Sequence, residues 1–399
     1  MYIPKVSDFD PFSLERLLKT CFDLPSAPIK CCVLIDLEDP QFVTDLRFMS
    51  LDGLDVQKRA ISHFYEPLNG ELGKKLNISK CDLFSFKTTG GSNLDPENML
   101  FDILGNKVTF TDDVCPSYDL ILAITDYSLT APLTSMAKEF NFRGATLHGV
   151  NDVILNSGLS VDYLKISKQA ELYRGILDNA DYFDLSFDCL GESYDLRIDC
   201  NQQTAQKSHG LCPSGTPDVA NLPAGEVYFV PTSAEGAFPF RFSDGTLAQM
   251  IVENGAITSA TLIRGDAKLV DLRNKQLRED PATGIIGELG FGTQILPFSG
   301  CDIQDEKILG TCHIATGRSD HLGGNLTPDL FNSRQNASHD DILYAPPKTP
   351  EITVNSVVIH KDGNDQTILE NYLPSSYLLD LLSSEYPIDL IRSALPSYS

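Results

Sequence analysis

The sequence has few basic residues for its length and no long apolar run. Its 399 residues include 31 lysines and arginines against 55 aspartates and glutamates, so the formal net charge is -24 and the pI is near 4.5. Such a field repels nucleic-acid phosphates and anionic membrane surfaces, and neither is expected as the main partner. No apolar run approaches the roughly 20 residues that span a bilayer. A cationic or zwitterionic small ligand fits this charge, although solubility alone explains it equally well.

The sequence also lacks a CxxC pair and an N-terminal targeting pattern. MYIPKVSDFDPFSLERLLK contains no basic segment followed by an apolar one, so a secretory signal is not expected. The ten cysteines are therefore expected to stay reduced in the cytoplasm. Cys31 and Cys32 lie in the apolar run CCVLIDL, where a free cysteine behaves as a small hydrophobic residue.

Strand-like and helix-like segments alternate in the first half of the chain. The runs KCCVLIDL, CDLFSF, YDLILAIT and RGATLHGV predict buried strands. Apolar residues at helical spacing follow Ser13 and Thr130, and they recur between Ile166 and Leu177. This alternation predicts an α/β N-terminal domain, residues 1–181, with a mostly parallel sheet.

The second half is richer in antiparallel strand patterns. FDLSFDC and YDLRIDC predict a hairpin, and further turns are expected at Asn254-Gly255 and Asp362-Gly363. Residues 201–224 have the composition of a loop, rich in Gly, Ser, Pro and Gln. We therefore expect an α+β C-terminal domain, residues 182–399, with the boundary near Asp181.

The stretch from Gly287 to Asp341 concentrates candidate metal ligands. It contains GELGFGT, DEKILGTCHIATGRSDHLGGN and the triplet HDD, and Glu226 precedes it in NLPAGEV. Carboxylates and imidazoles together suit zinc, cobalt, manganese or iron. If the HDD segment is extended, His339 and Asp341 lie on one face and can reach one ion. A lone glutamate or histidine is usually structural, so the prediction depends on the combination.

NLPAGEV, IIGELGFGT, DEKILGTCHIATGR and HDD resemble, in this order, motifs of the thermophilic-type metallo-aminopeptidases, the family of aminopeptidase T and aminopeptidase S. The resemblance covers about Ala220 to Tyr344. It implies a homodimeric peptidase that removes N-terminal residues from small peptides or amino-acid conjugates in an enclosed cavity. It also implies two divalent metal ions, which would be zinc, cobalt, manganese or magnesium. The implied ligands are Glu226, Glu288, His313, His339 and Asp341.

Two cations about 3.5–4 Å apart lower the pKa of a shared water and polarise the substrate carbonyl. A carboxylate at the edge of such a site can move a proton to the leaving amine. Glu288 is predicted to do so in addition to binding metal. Because a ligating carboxylate is a poor base, Glu306 is the reserve candidate. Arg318 is predicted to anchor a ligand carboxylate rather than to act in catalysis.

The chain departs from the family at one catalytic position. Family peptidases carry a tyrosine seven residues after the metal-binding histidine, whereas this sequence has Asp320. An ionised carboxylate cannot donate a hydrogen bond to an oxyanion. Asp320 is therefore expected to hold a substrate ammonium or to add a ligand, and His321 to supply the missing donor. The plain alternative is a surface turn before Gly323.

Three functions follow from these observations. The first is a metal-dependent, aminopeptidase-like hydrolase, favoured by the retention of both Glu226 and Glu288. The alternative is an iron-dependent ring-opening dioxygenase of dihydroxypyridines, since the same fold hosts such enzymes with a smaller site of two histidines and an aspartate. The third is a non-enzyme protein that keeps the fold as a binding or scaffold module. Crowded carboxylates argue against it, because they repel one another without a metal.

Overall fold

The computed structural model describes residues 3–388 and residue 391. These residues form two compact units. The α/β unit comprises Lys5–Ser167 and His209–Ala224. The β-rich unit comprises Lys168–Ser208 and the described residues from 225 onward, together with residues 3 and 4. No helix in the described part of the chain is long and apolar enough to cross a membrane.

Strands and helices are numbered here in chain order over the described residues. The strands are β1 (Ile29–Leu37), β2 (Ile78–Lys87), β3 (Met99–Asp102), β4 (Lys107–Thr109), β5 (Leu120–Thr125), β6 (Arg143–His148), β7 (Tyr182–Cys189), β8 (Glu192–Asp199), β9 (Gln206–Ser208), β10 (Val219–Asn221), β11 (Glu226–Phe229), β12 (Ser233–Arg241), β13 (Leu247–Glu253), β14 (Ala256–Arg264), β15 (Ile286–Gly292), β16 (Cys312–Gly317), β17 (His339–Tyr344), β18 (Ile352–Lys361), β19 (Asn364–Glu370) and β20 (Leu373–Pro374). The α-helices are α1 (Leu14–Cys21), α2 (Asp55–Ala60), α3 (Glu66–Asn69), α4 (Glu71–Lys75), α5 (Thr130–Phe140), α6 (Asp152–Leu155), α7 (Tyr163–Leu177), α8 (Ala267–Glu279), α9 (Asp302–Asp305) and α10 (Ser376–Leu382).

A seven-stranded sheet forms the centre of the α/β unit, in the order β10-β6-β5-β1-β2-β3-β4. The pairs from β10 to β2 are parallel, and β3 and β4 add an antiparallel edge. β5 is buried along its whole length, as expected of a parallel strand covered on both faces. Before α1, the Ser13 side chain accepts a hydrogen bond from the Arg16 N–H. The mostly parallel sheet predicted for the first half is confirmed.

Two antiparallel sheets pack face to face in the β-rich unit. One has eight strands, in the order β14-β13-β12-β8-β7-β18-β19-β20, and the other has five, in the order β17-β16-β15-β11-β9. Aromatic rings join the sheets: the ring centroids of Phe183 and Phe291 are 5.4 Å apart, and those of Phe187 and Tyr344 are 4.8 Å apart. Asn254 has a positive φ of 52° at the predicted hairpin turn. The antiparallel character predicted for the second half is confirmed.

The chain divides differently from the prediction of one boundary near Asp181. The first boundary between the units lies between Ser167 and Lys168, inside α7. The chain then returns to the α/β unit for His209–Ala224. The predicted loop of residues 201–224 contains β9, which pairs with β11, and β10, which pairs with β6. Strands of three residues have too little periodicity to be recognised in the sequence. Their pairing depends on partners that are distant in the chain.

Candidate metal centre

The five-stranded sheet carries all five predicted metal ligands on one face. β15 pairs with β11 and β16, and β16 pairs with β17, all in antiparallel register. Residues directly opposite one another in such a ladder point to the same side. The ligands are Glu226 on β11, Glu288 on β15, His313 on β16, and His339 and Asp341 on β17. The HDD segment is extended, as part of β17, which is the condition under which His339 and Asp341 share a face.

Gly290 makes room for an imidazole within this sheet. It lies on β15 directly opposite His313, and every residue of β15 is buried. A Cβ atom at position 290 would lie 2.1 Å from the His313 ring. Gly290 thus lets the His313 ring lie over the neighbouring strand, beside Glu288.

Glu288 lies at the centre of the group, between the two histidines. Its Oε1 is 3.3 Å from His313 Nε2, and its Oε2 is 3.0 Å from His339 Nε2. His313 Nε2 is also 3.7 Å from Glu226 Oε2, and His339 Nε2 is 3.4 Å from Asp341 Oδ1. The described residues contain three sets of candidate donors, in each of which the ligand atoms lie within 4.8 Å of one another. The sets are Glu226–Glu288–His313, Glu288–His339–Asp341 and Glu306–His313–Asp341.

The orientation of His339 suits metal binding. Its Nδ1 lies 2.7 Å from the carbonyl oxygen of Arg318, where it can donate a hydrogen bond. With Nδ1 so occupied, Nε2 is the nitrogen that an ion beside Glu288 and Asp341 would bind. Imidazole nitrogens and carboxylate oxygens together fit zinc, manganese, cobalt or iron. The residues present therefore fit a divalent metal of this class.

The electrostatics of the group show tight coupling between carboxylates and imidazoles. Burial opposes ionisation of Glu288, but hydrogen bonds from His313 and His339 outweigh it and hold the pKa of that carboxyl well below its usual range. Burial likewise opposes charging of His313, yet its hydrogen bond to Glu288 raises the pKa to about 9. A divalent ion that binds these imidazoles therefore competes with protons.

Lys307 is a member of the site that the sequence did not reveal. Its side chain is 1% exposed, and its Nζ lies 2.7 Å from Glu226 Oε2 and 2.6 Å from Glu306 Oε1. Burial disfavours the charged amine, but these two carboxylates outweigh it and raise the pKa of Lys307 above its ordinary value. Burial raises the pKa of Glu306 to about 8. A lysine beside an acidic pair in the run DEKIL was the available signal, since a buried lysine needs carboxylate partners.

Asp320 is engaged by a neighbouring arginine. Arg318 donates to it through both Nε and Nη2, at 2.7 and 3.2 Å, in a two-pronged contact. Burial alone would raise the pKa of Asp320, but the two-pronged contact with the Arg318 guanidinium holds it well below its usual range. Among the described residues Asp320 belongs to none of the three donor sets. Arg318 thus pairs with a carboxylate of the chain itself, and its anchoring of a ligand carboxylate stays a prediction.

His321 lies against the metal-binding group. Its side chain is 4% exposed, and its ring meets the His339 ring edge-on with centroids 5.0 Å apart. Its Nδ1 is 3.8 Å from Asp320 Oδ1, which is too far for a hydrogen bond. Burial lowers the pKa of His321, so the neutral ring is favoured. The predicted short turn is also present, as a helical turn over Asp320–Leu322 that ends at Gly323.

Comparisons with known proteins identify a fold rather than a family. No protein-family model and no curated protein matches the chain. Its structure is similar to that of 2,5-dihydroxypyridine dioxygenase from Pseudomonas putida KT2440, with a TM-score of 0.57 and 15% sequence identity. The similarity covers 91% of this chain and 95% of the other. The two proteins share a fold over nearly their whole lengths, and a fold alone does not determine an activity.

Proposed function

We propose that this chain is an iron-dependent dioxygenase that opens a dihydroxylated aromatic ring. The full-length structural similarity to 2,5-dihydroxypyridine dioxygenase is the observation that carries the proposal. The metal-dependent enzyme class has separate support in the largely buried donor sets at the five-stranded sheet. We take a hydroxylated ring as the substrate class because the structural neighbour is named for such a substrate.

The donor set supports the choice of iron. Asp341 belongs to one donor set with His339 and to another with His313, so each imidazole shares a possible ion position with this carboxylate. Two histidines and one carboxylate, with further positions open, are typical of ferrous oxygenases. A bound ferrous ion would supply the one-electron chemistry that dioxygen requires. The chain would hold that ion, orient the ring and keep bulk water away.

Two neighbouring side chains also favour an oxygenase over a peptidase. Asp320 stands where the family peptidases carry a hydrogen-bond donor, and Arg318 holds it as a carboxylate. It therefore cannot donate to an oxyanion. His321 is buried, favours the neutral form and lies against His339. Its imidazole is our candidate for accepting the proton of a ring hydroxyl as substrate binds.

The second candidate is the aminopeptidase-like hydrolase, and one observation favours it. The two oxygens of Glu288 face different histidines, as a carboxylate that bridges two ions would. In this reading Glu288 also remains the candidate base, and the site holds two ions of zinc, cobalt, manganese or magnesium. A small peptide substrate and a homodimer remain predictions from the sequence resemblance.

Metal loading with paired substrate panels tests the two functions against each other. Protein purified without chelator is loaded anaerobically with ferrous ion and mixed with dihydroxylated pyridines and benzenes in aerated buffer. We expect uptake of one dioxygen per ring, since both oxygen atoms enter the opened product, together with loss of the aromatic absorbance. Zinc-loaded protein should consume no dioxygen.

Two histidine variants control this experiment. His339→Ala should abolish iron-dependent oxygen uptake, because it removes a ligand. His360→Ala serves as the matched change, since His360 lies on the eight-stranded sheet and pairs with Asp184 and Asp365. It should retain activity. If no ring supports oxygen uptake while protein loaded with two ions releases residues from aminoacyl amides, the hydrolase replaces the dioxygenase as the function.

A further inference from the structure

The metal centre has two sides that differ in their positive charge. We call Glu226, Glu306 and Lys307 the Lys307 side, and Glu288, His339 and Asp341 the Asp341 side. On the Lys307 side an ammonium group lies within 2.7 Å of both carboxylates. Within the described residues, the ion-pair partners of Glu288 and Asp341 are histidines alone. His313 contacts both sides, through Glu226 and Glu288.

The ammonium of Lys307 contacts Glu226 Oε2, the same carboxylate oxygen that a second ion would have to bind. Glu226 Oε2 is 2.7 Å from Lys307 Nζ and 3.7 Å from His313 Nε2. A divalent ion binds a carboxylate oxygen at about 2.0–2.2 Å. An ion between Glu226 and His313 would therefore lie within roughly 5 Å of the ammonium, on one shared oxygen atom.

Repulsion between these two cations would be strong because water does not screen it. The exposed fractions of the Lys307 and Glu226 side chains are 1% and 7%. Charges in such surroundings interact far more strongly than charges at a surface. If Lys307 moved away, it would separate from both of its carboxylates, and an unpaired buried charge is unfavourable.

We infer that Lys307 takes the place of a second divalent ion, so that the centre binds one ion, on the Asp341 side. The inference rests on the proposed function only in assuming that the centre binds metal, and it does not depend on the reaction. It gives Lys307 a role in selecting a one-metal centre on a sheet whose carboxylates could otherwise hold two ions.

Metal stoichiometry tests this inference directly. Wild-type protein and Lys307→Met are stripped of metal, titrated with Mn²⁺ or Co²⁺, freed of unbound ion and analysed for metal per chain. We expect one ion in the wild type and two in the variant. With Mn²⁺, the electron paramagnetic resonance signal of an isolated ion in the wild type should change to that of a coupled pair in the variant.

The matched control is Lys207→Met. Lys207 pairs with Glu171 at 2.7 Å, also in the β-rich unit but outside the metal centre. This variant loses a lysine from an ion pair in the same way, and it should still bind one ion. If Lys307→Met does not fold, Lys307→Gln replaces it, because an amide of similar length can still donate to Glu226 and Glu306 without a charge.

The outcomes separate this inference from the proposed function. Two ions in the wild type, or one ion in every folded Lys307 variant, would overturn the role of Lys307 and leave the dioxygenase assay to be judged by itself. A change from one ion to two supports that role even if no ring is opened, in which case the proposed reaction alone fails. A wild type that binds no ion overturns both.

Discussion

Asp36 in the α/β unit and Glu288 in the β-rich unit are both carboxylates buried within strands, with 1% and 4% of their surface exposed. Their partners differ in kind. Asp36 Oδ1 accepts hydrogen bonds from the Asp126 N–H and the Gln57 amide, both at 2.9 Å, and Oδ2 accepts one from the Thr88 hydroxyl at 3.2 Å. Glu288 contacts two imidazoles and belongs to two of the donor sets.

This difference separates a structural carboxylate from a metal-binding one. Amide and hydroxyl donors satisfy Asp36 but bring no positive charge, and its burial raises its pKa above the ordinary value. The imidazoles beside Glu288 can exchange a proton for a metal ion, because the same nitrogen binds either. A buried carboxylate therefore indicates a metal site only when its partners are themselves possible ligands.

The largest effect should come from removing the charge of Glu288. In Glu288→Gln the amide cannot bridge the two histidines as an anion. We expect metal affinity to fall by more than the ~10–100-fold typical of residues that only support ligands. Isothermal titration with Co²⁺ or Fe²⁺ measures the loss. Glu351→Gln is the matched control, since Glu351 pairs with Arg241 and Arg264 outside the centre and should leave the affinity unchanged.

The second effect should come from filling the space beside His313. Gly290→Ala would place a Cβ atom 2.1 Å from that ring, so the imidazole must move. We expect roughly a 10–100-fold loss of metal affinity, comparable to the loss of a supporting residue. Gly175→Ala is the control, because a Cβ atom at that position of α7 meets nothing within 4 Å. Unchanged affinity in Gly290→Ala would mean that His313 does not bind the ion.

The sequence predicted the metal-binding face because its pattern is local. Glu288 and the glycines of GELGFGT lie on one strand, and His339-x-Asp341 has the two-residue period of a strand. Once both segments are known to be strands, the alternation of side chains determines which residues share a face of the sheet. The buried runs that became β1, β2, β5 and β6 were recognisable for the same reason, because continuous apolar strands are typical of parallel sheets.

Other features depend on contacts that no local pattern encodes. Lys307 follows two acidic residues in the sequence, but only the fold brings Glu226 to its ammonium. β10 has three residues and pairs with β6 from a distance in the chain. Arg318 and Asp320 are two residues apart in the sequence. Arginine and aspartate at that spacing are common even where their side chains do not contact each other. These features became evident only from the tertiary structure.

A smaller effect is expected where the carboxylate supports a ligand indirectly. Asp320→Asn would weaken the two-pronged contact with Arg318, whose carbonyl oxygen orients His339. We expect a loss of metal affinity near the lower end of the ~10–100-fold range for supporting residues. Asp329→Asn is the matched control, since Asp329 forms an exposed pair with Arg334. Equal effects of the two variants would show that the Arg318 contact does not position His339.

The smallest effect should come from Asp36, and it should be one of stability alone. Burial raises the pKa of Asp36 in the folded protein above its unfolded value, so ionisation on raising the pH favours the unfolded chain. The stability that Asp36 provides is complete below its unfolded pKa of about 3.9 and is lost as the pH rises through its folded pKa. Asp36→Asn carries no such charge and can keep the contacts with Gln57 and Thr88.

The free energy of unfolding of Asp36→Asn relative to wild type should therefore rise between acid and neutral pH, by no more than the ~1–3 kcal/mol associated with one buried polar group. Denaturant unfolding followed by circular dichroism at several pH values measures this difference. Metal content should be unchanged, in contrast to Glu288→Gln. A difference that is constant with pH would contradict the raised pKa, and loss of metal would contradict the distinction between the two carboxylates. Because both residues are buried acids within strands, this pair of variants tests whether the chemistry of the partners, rather than burial, determines where the metal binds.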